Sequence, residues 1–218
     1  MKKEIPNLLT LGNLLSGCLA LWQIAEGNPR NVLFLTAAGM LFDFLDGGVA
    51  RALRVSSPLG KELDSLADLV SFGVVPGFLV FFSVPEAGSW AHVAWLLPLF
   101  SAYRLAQFNI DTKQTEHFLG LPTPANAAFW IALPWLPTAP PAYWTLLFTA
   151  LMSVLLVVRV PLFSFKFKHF GWSGNEVRYL FLLAAGIGLA VWQVLALPPI
   201  VLSYILVSLA LPPKTRKQ

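Results

Sequence analysis

Long runs of apolar residues, separated by short polar or proline-rich stretches, extend along most of the chain. A helix needs about 20 apolar residues to cross a hydrocarbon layer about 30 Å thick. The pattern therefore predicts an all-α, polytopic membrane bundle of about eight transmembrane helices, in which residues 1–218 form a single membrane domain. The predicted helices lie near residues 7–25, 31–54, 60–83, 91–110, 122–138, 141–160, 177–196 and 198–213.

Two parts of this pattern depart from a simple row of long helices. The segment 122–138 is short and is interrupted by four prolines, which makes it the weakest of the eight. The segments 177–196 and 198–213 are separated only by residues around 197–199, where two prolines follow each other. Since proline disfavours a helical conformation in the residue before it, we expect these last two helices to form a tight hairpin.

The composition removes several classes of protein from consideration. Apolar residues make up 56% of the chain and charged residues only 12%, whereas about a quarter of the residues in an average soluble domain are charged. This balance excludes a soluble globule and a disordered chain. The net charge of +4 is spread along the sequence, so we expect no nucleic-acid partner. The single cysteine, Cys18, allows no disulfide framework.

Basic residues are unevenly distributed between the two sides of the predicted bundle. One side holds Lys2, Lys3, Arg51, Arg54, Lys61, Lys113, Arg159, Lys166, Lys168, Arg178, Lys214, Arg216 and Lys217. Arg30 lies alone on the other side, and Arg104 lies within the fourth predicted helix. Because cytoplasmic loops of membrane proteins carry an excess of Lys and Arg, both termini are predicted to be cytoplasmic in a multi-pass protein of the cell membrane.

Four aspartates occur where the second predicted helix ends and the third begins. Asp43 and Asp46 are three residues apart, and Asp64 and Asp68 are four residues apart, so each pair shares one face of its helix. A short cytoplasmic turn around 55–58 would make the two helices antiparallel neighbours and bring both pairs to the same depth. Charged groups inside a membrane are costly and usually functional. The sequence therefore predicts an active site near the cytoplasmic side.

Four neighbouring carboxylates need positive charge close by, since like charges in a low dielectric oppose ionisation. Oxygen ligands favour Mg²⁺ or Mn²⁺, and such sites typically also hold substrate phosphates. Gly47, Gly48 and Gly60 would let a ligand approach the helix backbones closely. Arg51, one turn after Gly47, could neutralise a phosphate. Together these residues predict a site for a metal ion and a pyrophosphate.

This stretch resembles the signature of the CDP-alcohol phosphatidyltransferases, Asp-x2-Asp-Gly-x2-Ala-Arg-x8-Gly-x3-Asp-x3-Asp. The fixed positions are Asp43, Asp46, Gly47, Ala50, Arg51, Gly60, Asp64 and Asp68. The resemblance implies a membrane enzyme that uses two divalent ions to displace CMP from a CDP-linked substrate, and it implies a homodimer. By the same resemblance, Asp43, Asp46 and Asp64 would bind metal, and Asp68 would bind metal and act as general base. Gly47, Ala50, Arg51 and Gly60 would line the CDP pocket.

Segments outside the signature point to one branch of the family. The stretches 5–17, 63–73, 103–109 and 120–124 are similar to bacterial and archaeal phosphatidylserine synthases. The expected reaction transfers the phosphatidyl group from CDP-diacylglycerol to the hydroxyl of L-serine, which gives phosphatidylserine and CMP. The serine carboxylate needs a cation, for which Arg104 is the first candidate because a buried guanidinium can bind a carboxylate bidentately. Asn109 is a second polar candidate.

Several residues also have purely structural interpretations. Thr10 and Asn13 could contact CDP, or they could form hydrogen bonds between helices together with Gly17. Arg51 could be an interfacial anchor, and Arg104 could pair with one of the aspartates. The glycines could allow close helix packing. Lys166 and Lys168 fit interfacial anchors better than catalytic groups.

Other functions remain as alternatives. A sister transferase would use glycerol 3-phosphate or inositol phosphate, but such acceptors call for a cluster of basic residues near the site. Arg104 has no basic neighbour in its predicted helix, which favours serine. A cation-coupled membrane transporter would need acidic residues along a path that reaches both faces, whereas here they lie near one end only. A membrane scaffold would have no use for the four aspartates.

Overall fold

The computed structural model describes residues 4–110, 118–158, 160–162, 171–172 and 175–210. Nearly all of the regular structure in these ranges is helical. The α-helices are α1 (Glu4–Ala25), α2 (Val32–Leu53), α3 (Pro58–Asp68), α4 (Val75–Ser83), α5 (Leu96–Ile110), α6 (Thr123–Trp130), α7 (Ala142–Val157), α8 (Glu176–Trp192) and α9 (Leu197–Ala210). A π-helical turn (Leu69–Val74) joins α3 to α4.

Short 3₁₀ segments and one small strand pair complete the structure. The 3₁₀ segments are Pro29–Asn31, Pro85–Trp95, Leu133–Trp135 and Gln193–Ala196. Two strands of two residues each, β1 (Phe118–Leu119) and β2 (Pro161–Leu162), pair antiparallel. The predicted all-helical fold is thus correct apart from this small ladder.

Helix α1 packs against both α2 and α3. It runs antiparallel to α2, since the space beside Gly12 is filled by the ring of Phe42, and Thr10 bonds to Asp46. It runs in the same direction as α3, since Asn7 lies beside Gly60 and Asn13 bonds to Asp68. Helices α2 and α3 are therefore antiparallel, as the sequence predicts, and their carboxylates meet beside α1.

The π-helical turn has a local cause in the sequence. Pro76 follows it in the first turn of α4, and a proline has no N–H to donate and clashes with the carbonyl four residues earlier. In membrane helices, a local π-helical turn can re-satisfy the backbone groups that a proline leaves without a partner. Three helical pieces consequently form one continuous rod, Pro58–Ser83.

Small residues along this rod allow close helix contacts. A Cβ atom on Gly17 would lie 2.5 Å from Oγ of Ser71, and one on Gly73 would lie 2.9 Å from Cβ of Ser101. Neither glycine could carry a side chain without displacing the neighbouring helix. The rod therefore packs tightly against α1 on one side and α5 on the other.

The segment containing α6 reaches from one end of the bundle to the other although the helix itself is short. At one end, the N–H of Leu121 donates to the carbonyl of Leu155 near the end of α7. At the other end, Nε of Arg30 donates to the carbonyl of Pro134. The eight residues of α6 would span only about 12 Å as an α-helix. The prolines that weaken this segment in the sequence thus shorten the helix.

Helices α8 and α9 form the predicted hairpin. Phe181 and Tyr204 pack edge to face, and Gly188 lies against Ala196. The turn comes earlier than predicted, at Gln193, whose φ of 51° breaks the helix. The double proline at 198–199 lies in the first turn of α9 instead, where a missing N–H costs nothing.

Four helical stretches of the described residues have the length and apolar composition needed to cross a membrane. They are Glu4–Ala25, Pro29–Leu53, Pro58–Ser83 and Glu176–Ala210. The last is the α8–α9 hairpin, and α7 is a shorter apolar helix. Many large apolar side chains on these helices are exposed, such as Phe44 and Leu183. The structure therefore fits a membrane protein.

Candidate active site

A cleft of about 210 Å³ opens where α1 begins, α2 ends and α3 begins. Its walls include Thr10, Asp46, Gly47, Ala50, Gly60 and Asp64, all singled out from the sequence, together with Pro6, Asn7, Val55, Ser56, Ser57 and Lys61. We call this space the α1–α3 cleft. It brings two of the four aspartates and most of the predicted CDP pocket together.

Three of the aspartates form a compact group beside the α1–α3 cleft. One carboxylate oxygen from each of Asp43, Asp64 and Asp68 lies within 4.8 Å of the others. Asp68 is only 8% exposed, and Oδ1 of Asp64 is buried without a hydrogen-bond partner among the described residues. Such closely spaced buried oxygens need a positive charge between them, so the group could hold a metal ion.

Asp46 lies apart from this group and bonds to α1. Its Oδ2 accepts a hydrogen bond of 2.6 Å from the hydroxyl of Thr10, and it is 7% exposed on the wall of the α1–α3 cleft. The sequence predicts one cluster of four carboxylates. The structure instead has three together and a fourth that shares the cleft with Asp64.

The polar residues of α1 act between helices. Asn13 is fully buried, and its Nδ2 donates to Oδ1 of Asp68 over 3.0 Å. Thr10 bonds to Asp46 and also lines the α1–α3 cleft. Of the two interpretations open for these residues, hydrogen bonding between helices holds for both, and only Thr10 also reaches the cleft wall.

The glycines of the signature make room for polar neighbours. A Cβ on Gly60 would lie 3.1 Å from both Oδ1 of Asn7 and Oγ of Ser57. A Cβ on Gly47 would lie 3.4 Å from Nη1 of Arg51. Arg51 therefore folds back over Gly47 at the edge of the α1–α3 cleft.

Among the cleft residues that were not predicted as part of the site, Asn7 and Ser57 have signals in the sequence. Asn7 precedes Thr10 and Asn13 at intervals of three, which places all of them on one face of α1. Ser57 caps α3 by accepting a hydrogen bond from the N–H of Gly60, directly before Pro58, a typical helix start. Lys61 has no such signal.

Arg104 and Asn109, the predicted serine contacts, have other partners in the described structure. Nη1 of Arg104 donates to the carbonyl of Leu156 in α7, and the guanidinium lies against Gly120. The amide of Asn109 donates to Ser65 and Glu62, and so it joins α5 to α3. Neither side chain is among the residues that line the α1–α3 cleft. Lys166 and Lys168 lie outside the described residues.

Comparison with known proteins identifies the class. The chain matches the CDP-alcohol phosphatidyltransferase family over residues 3–173, a stretch that contains the cleft, the aspartates and α1 to α7. The chain therefore belongs to the CDP-alcohol phosphatidyltransferase family.

Relatives from several organisms carry one name, CDP-diacylglycerol–serine O-phosphatidyltransferase. The Bacillus subtilis protein is 36% identical over 124 residues, which cover 55% of this chain and 69% of the relative. The Mycobacterium leprae protein is 34% identical over 172 residues, or 72% of this chain and 57% of the relative. The Saccharomyces cerevisiae protein is 40% identical over 114 residues, or 47% of this chain and 41% of the relative. This chain thus matches about two fifths to two thirds of their length.

The carboxylate group leads to a prediction about metal binding. We expect Asp64→Asn to weaken Mn²⁺ binding at least about tenfold, because an amide oxygen carries no charge to attract the ion. Titration of the purified protein followed by electron paramagnetic resonance would measure this. The control is Glu62→Gln, which changes an exposed acid on the same helix. Equal Mn²⁺ affinity in wild type and Asp64→Asn would contradict the prediction.

Proposed function

We propose that this protein transfers the phosphatidyl group from CDP-diacylglycerol to the hydroxyl of L-serine, which gives phosphatidylserine and CMP. The observation that carries the proposal is the group of carboxylates from Asp43, Asp64 and Asp68 beside a cleft lined by the signature residues. The shared name of the relatives supports serine as the acceptor. Enzyme activity of this kind belongs to phospholipid biosynthesis.

In this proposal the chain's own residues bind and orient the substrate. Gly47, Ala50, Gly60 and Thr10 form the wall against which the CDP group lies, and Arg51 neutralises a phosphate oxygen at the edge of the α1–α3 cleft. Asp43, Asp46, Asp64 and Asp68 hold two divalent cations, Mg²⁺ or Mn²⁺. When bound, these cations supply positive charge that stabilises the pyrophosphate and the departing CMP.

Asp68 serves as the general base. It takes the proton from the serine hydroxyl while the serine oxygen bonds to the phosphorus that carries diacylglycerol, and the bond from that phosphorus to CMP breaks. Its burial at the inner end of the carboxylate group supports this role, because water competes less for a proton there. Arg104 binds the serine carboxylate, and Asn109 remains a predicted second polar contact.

The proposed membrane arrangement has about eight crossings in one domain, residues 1–218, with both termini and the active site at the cytoplasmic side. The contacts of residues 121 and 134 with opposite ends of the bundle support a crossing by the segment of α6. The orientation is supported by the basic residues near the cleft, Arg51, Arg54 and Lys61, whereas Arg30 lies at the other end.

Membrane lipid surrounds the helices, and two copies form a homodimer, which light scattering would detect.

The orientation can be tested with two exposed arginines at opposite ends, Arg54 and Arg30. In a Cys18→Ala background, we expect Arg54→Cys to react with a membrane-impermeant maleimide only from the cytoplasmic side. Arg30→Cys should react only from the opposite side. Labelling of both cysteines from the same side would overturn the proposed topology.

The acceptor can be tested directly with purified protein, CDP-diacylglycerol and Mn²⁺. We expect CMP release with L-serine and none with glycerol 3-phosphate or inositol phosphate. The phosphate of either acceptor would lack enough paired cations in the site, and an unpaired buried charge costs several kcal/mol. In the same assay, chelation of the metal should abolish CMP release, and added Mg²⁺ or Mn²⁺ should restore it. Release with glycerol 3-phosphate instead of serine would refute the serine acceptor and leave phosphatidyl transfer intact.

The role of Arg104 makes a separate prediction. Arg104→Ala should raise the KM for serine about tenfold or more while the KM for CDP-diacylglycerol stays nearly constant, because the guanidinium would bind only the serine carboxylate. Steady-state CMP release at varied serine and varied CDP-diacylglycerol separates the two constants. If only the thermal stability fell, Arg104 would have a structural role, to which its bond to the Leu156 carbonyl contributes.

A further inference from the structure

Asn13 is buried where α1 meets both α2 and the rod formed by α3 and α4. Its exposed fraction is 0%, and it is absent from the walls of the α1–α3 cleft. A fully buried amide that does not face the substrate pocket needs a structural or chemical reason, since burial of a polar group without partners is costly. That reason lies in its contact with Asp68.

The Asn13 amide holds one oxygen of the Asp68 carboxylate. Nδ2 of Asn13 donates to Oδ1 of Asp68 over 3.0 Å. An ionised carboxylate has about four acceptor positions on its two oxygens, so this bond leaves the others available. It also restricts rotation of the carboxylate, whose position relative to Asp43 and Asp64 defines the compact oxygen group.

Asn13 is itself held from two other elements. The hydroxyl of Ser71, in the π-helical turn, donates to the main-chain carbonyl of Asn13 over 2.9 Å. On the opposite side lies Gly39 of α2, where an added Cβ would lie 3.0 Å from Oδ1 of Asn13. The amide therefore rests against bare backbone and has little room to swing away from Asp68.

The amide also has one favourable orientation. Oδ1 of Asn13 is buried and has no hydrogen-bond partner among the described residues. A flipped amide would bring this oxygen against the Asp68 carboxylate oxygen, and two acceptors repel each other. The observed orientation therefore leaves Oδ1 unpaired and directs the Nδ2 donor to Asp68.

We propose that Asn13 is a positioning residue that fixes the Asp68 carboxylate for metal binding and proton transfer, an inference that rests on the function proposed above. Groups that orient a metal-binding carboxylate typically contribute about 10- to 100-fold to metal affinity or activity. From the sequence, Asn13 is a candidate either for contact with CDP or for a hydrogen bond between helices. In the proposed role, Asn13 connects α1 to Asp68, the general base.

The test compares Asn13→Leu, which keeps the size of the side chain but has no donor, with wild type and a control. We expect kcat for CMP release to fall about 10- to 100-fold at saturating Mn²⁺, and Mn²⁺ affinity measured without substrates to fall about tenfold. The KM for CDP-diacylglycerol should change less than about threefold, because Asn13 does not line the cleft. The control, Ser16→Ala, removes a buried hydroxyl one turn along α1 whose hydrogen bond among the described residues is to Gly12 of the same helix, and it should change neither value.

A second variant reaches the same contact from α2. Gly39→Ala should displace the Asn13 amide. It should also lower kcat and Mn²⁺ affinity, but by less than Asn13→Leu does. In the double variant the two effects should not add, because both act through one hydrogen bond. This variant also decides the matter if Asn13→Leu does not fold.

The outcomes separate this inference from the proposed function. Wild-type kcat and Mn²⁺ affinity in both Asn13→Leu and Gly39→Ala, within about twofold, would overturn the positioning role. A rise in the KM for CDP-diacylglycerol as large as the fall in kcat would also overturn it, since Asn13 would then be a substrate contact. If wild type released no CMP with serine, the proposed function would fail, and the Mn²⁺ titrations would still decide the role of Asn13.

Discussion

Acidic side chains inside an apolar bundle must find partners within the protein, and this requirement determines how the first three helices are arranged. Asp46 and Asp68 are only 7% and 8% exposed, so donors from a neighbouring helix stabilise their oxygens. Helix α1 provides both donors, through Thr10 and Asn13. Because one helix serves carboxylates on two others, α1 has to pack against both of them, and the α1–α3 cleft forms at their shared end.

The remaining helices support this arrangement from outside. Helix α5 packs on the rod through the contact of Ser101 with Gly73, and the amide of Asn109 bonds to α3 one residue from Asp64. Arg104 extends from the same helix to the carbonyl of Leu156 in α7. A change in α5 can therefore influence the carboxylates without touching them. The α8–α9 hairpin packs against α6 and contributes no residue to the cleft wall.

The sequence allowed the chemical centre to be predicted better than the geometry that surrounds it. The spacing of the aspartates and glycines follows from helical periodicity and is visible in the letters alone. That α1 donates hydrogen bonds to both α2 and α3 is not visible, because it depends on which distant donor meets which carboxylate. The turn at Gln193 was missed for a related reason: a double proline suits either a break or the first turn of a helix, and packing of Phe181 on Tyr204 selects the second.

The π-helical turn also bears on how the length of this chain can change. Because the turn holds one residue more than an α-helical turn, loss of a single residue there would leave a regular helix with Asp68 and Gly77 still facing their present neighbours. The same loss within α3 would rotate Asp64 by about 100° relative to the rest of the rod. Residues 69–74 are thus the part of the third helix where loss of one residue would disturb the helix register least, while the segment from Gly60 to Asp68 has a fixed length.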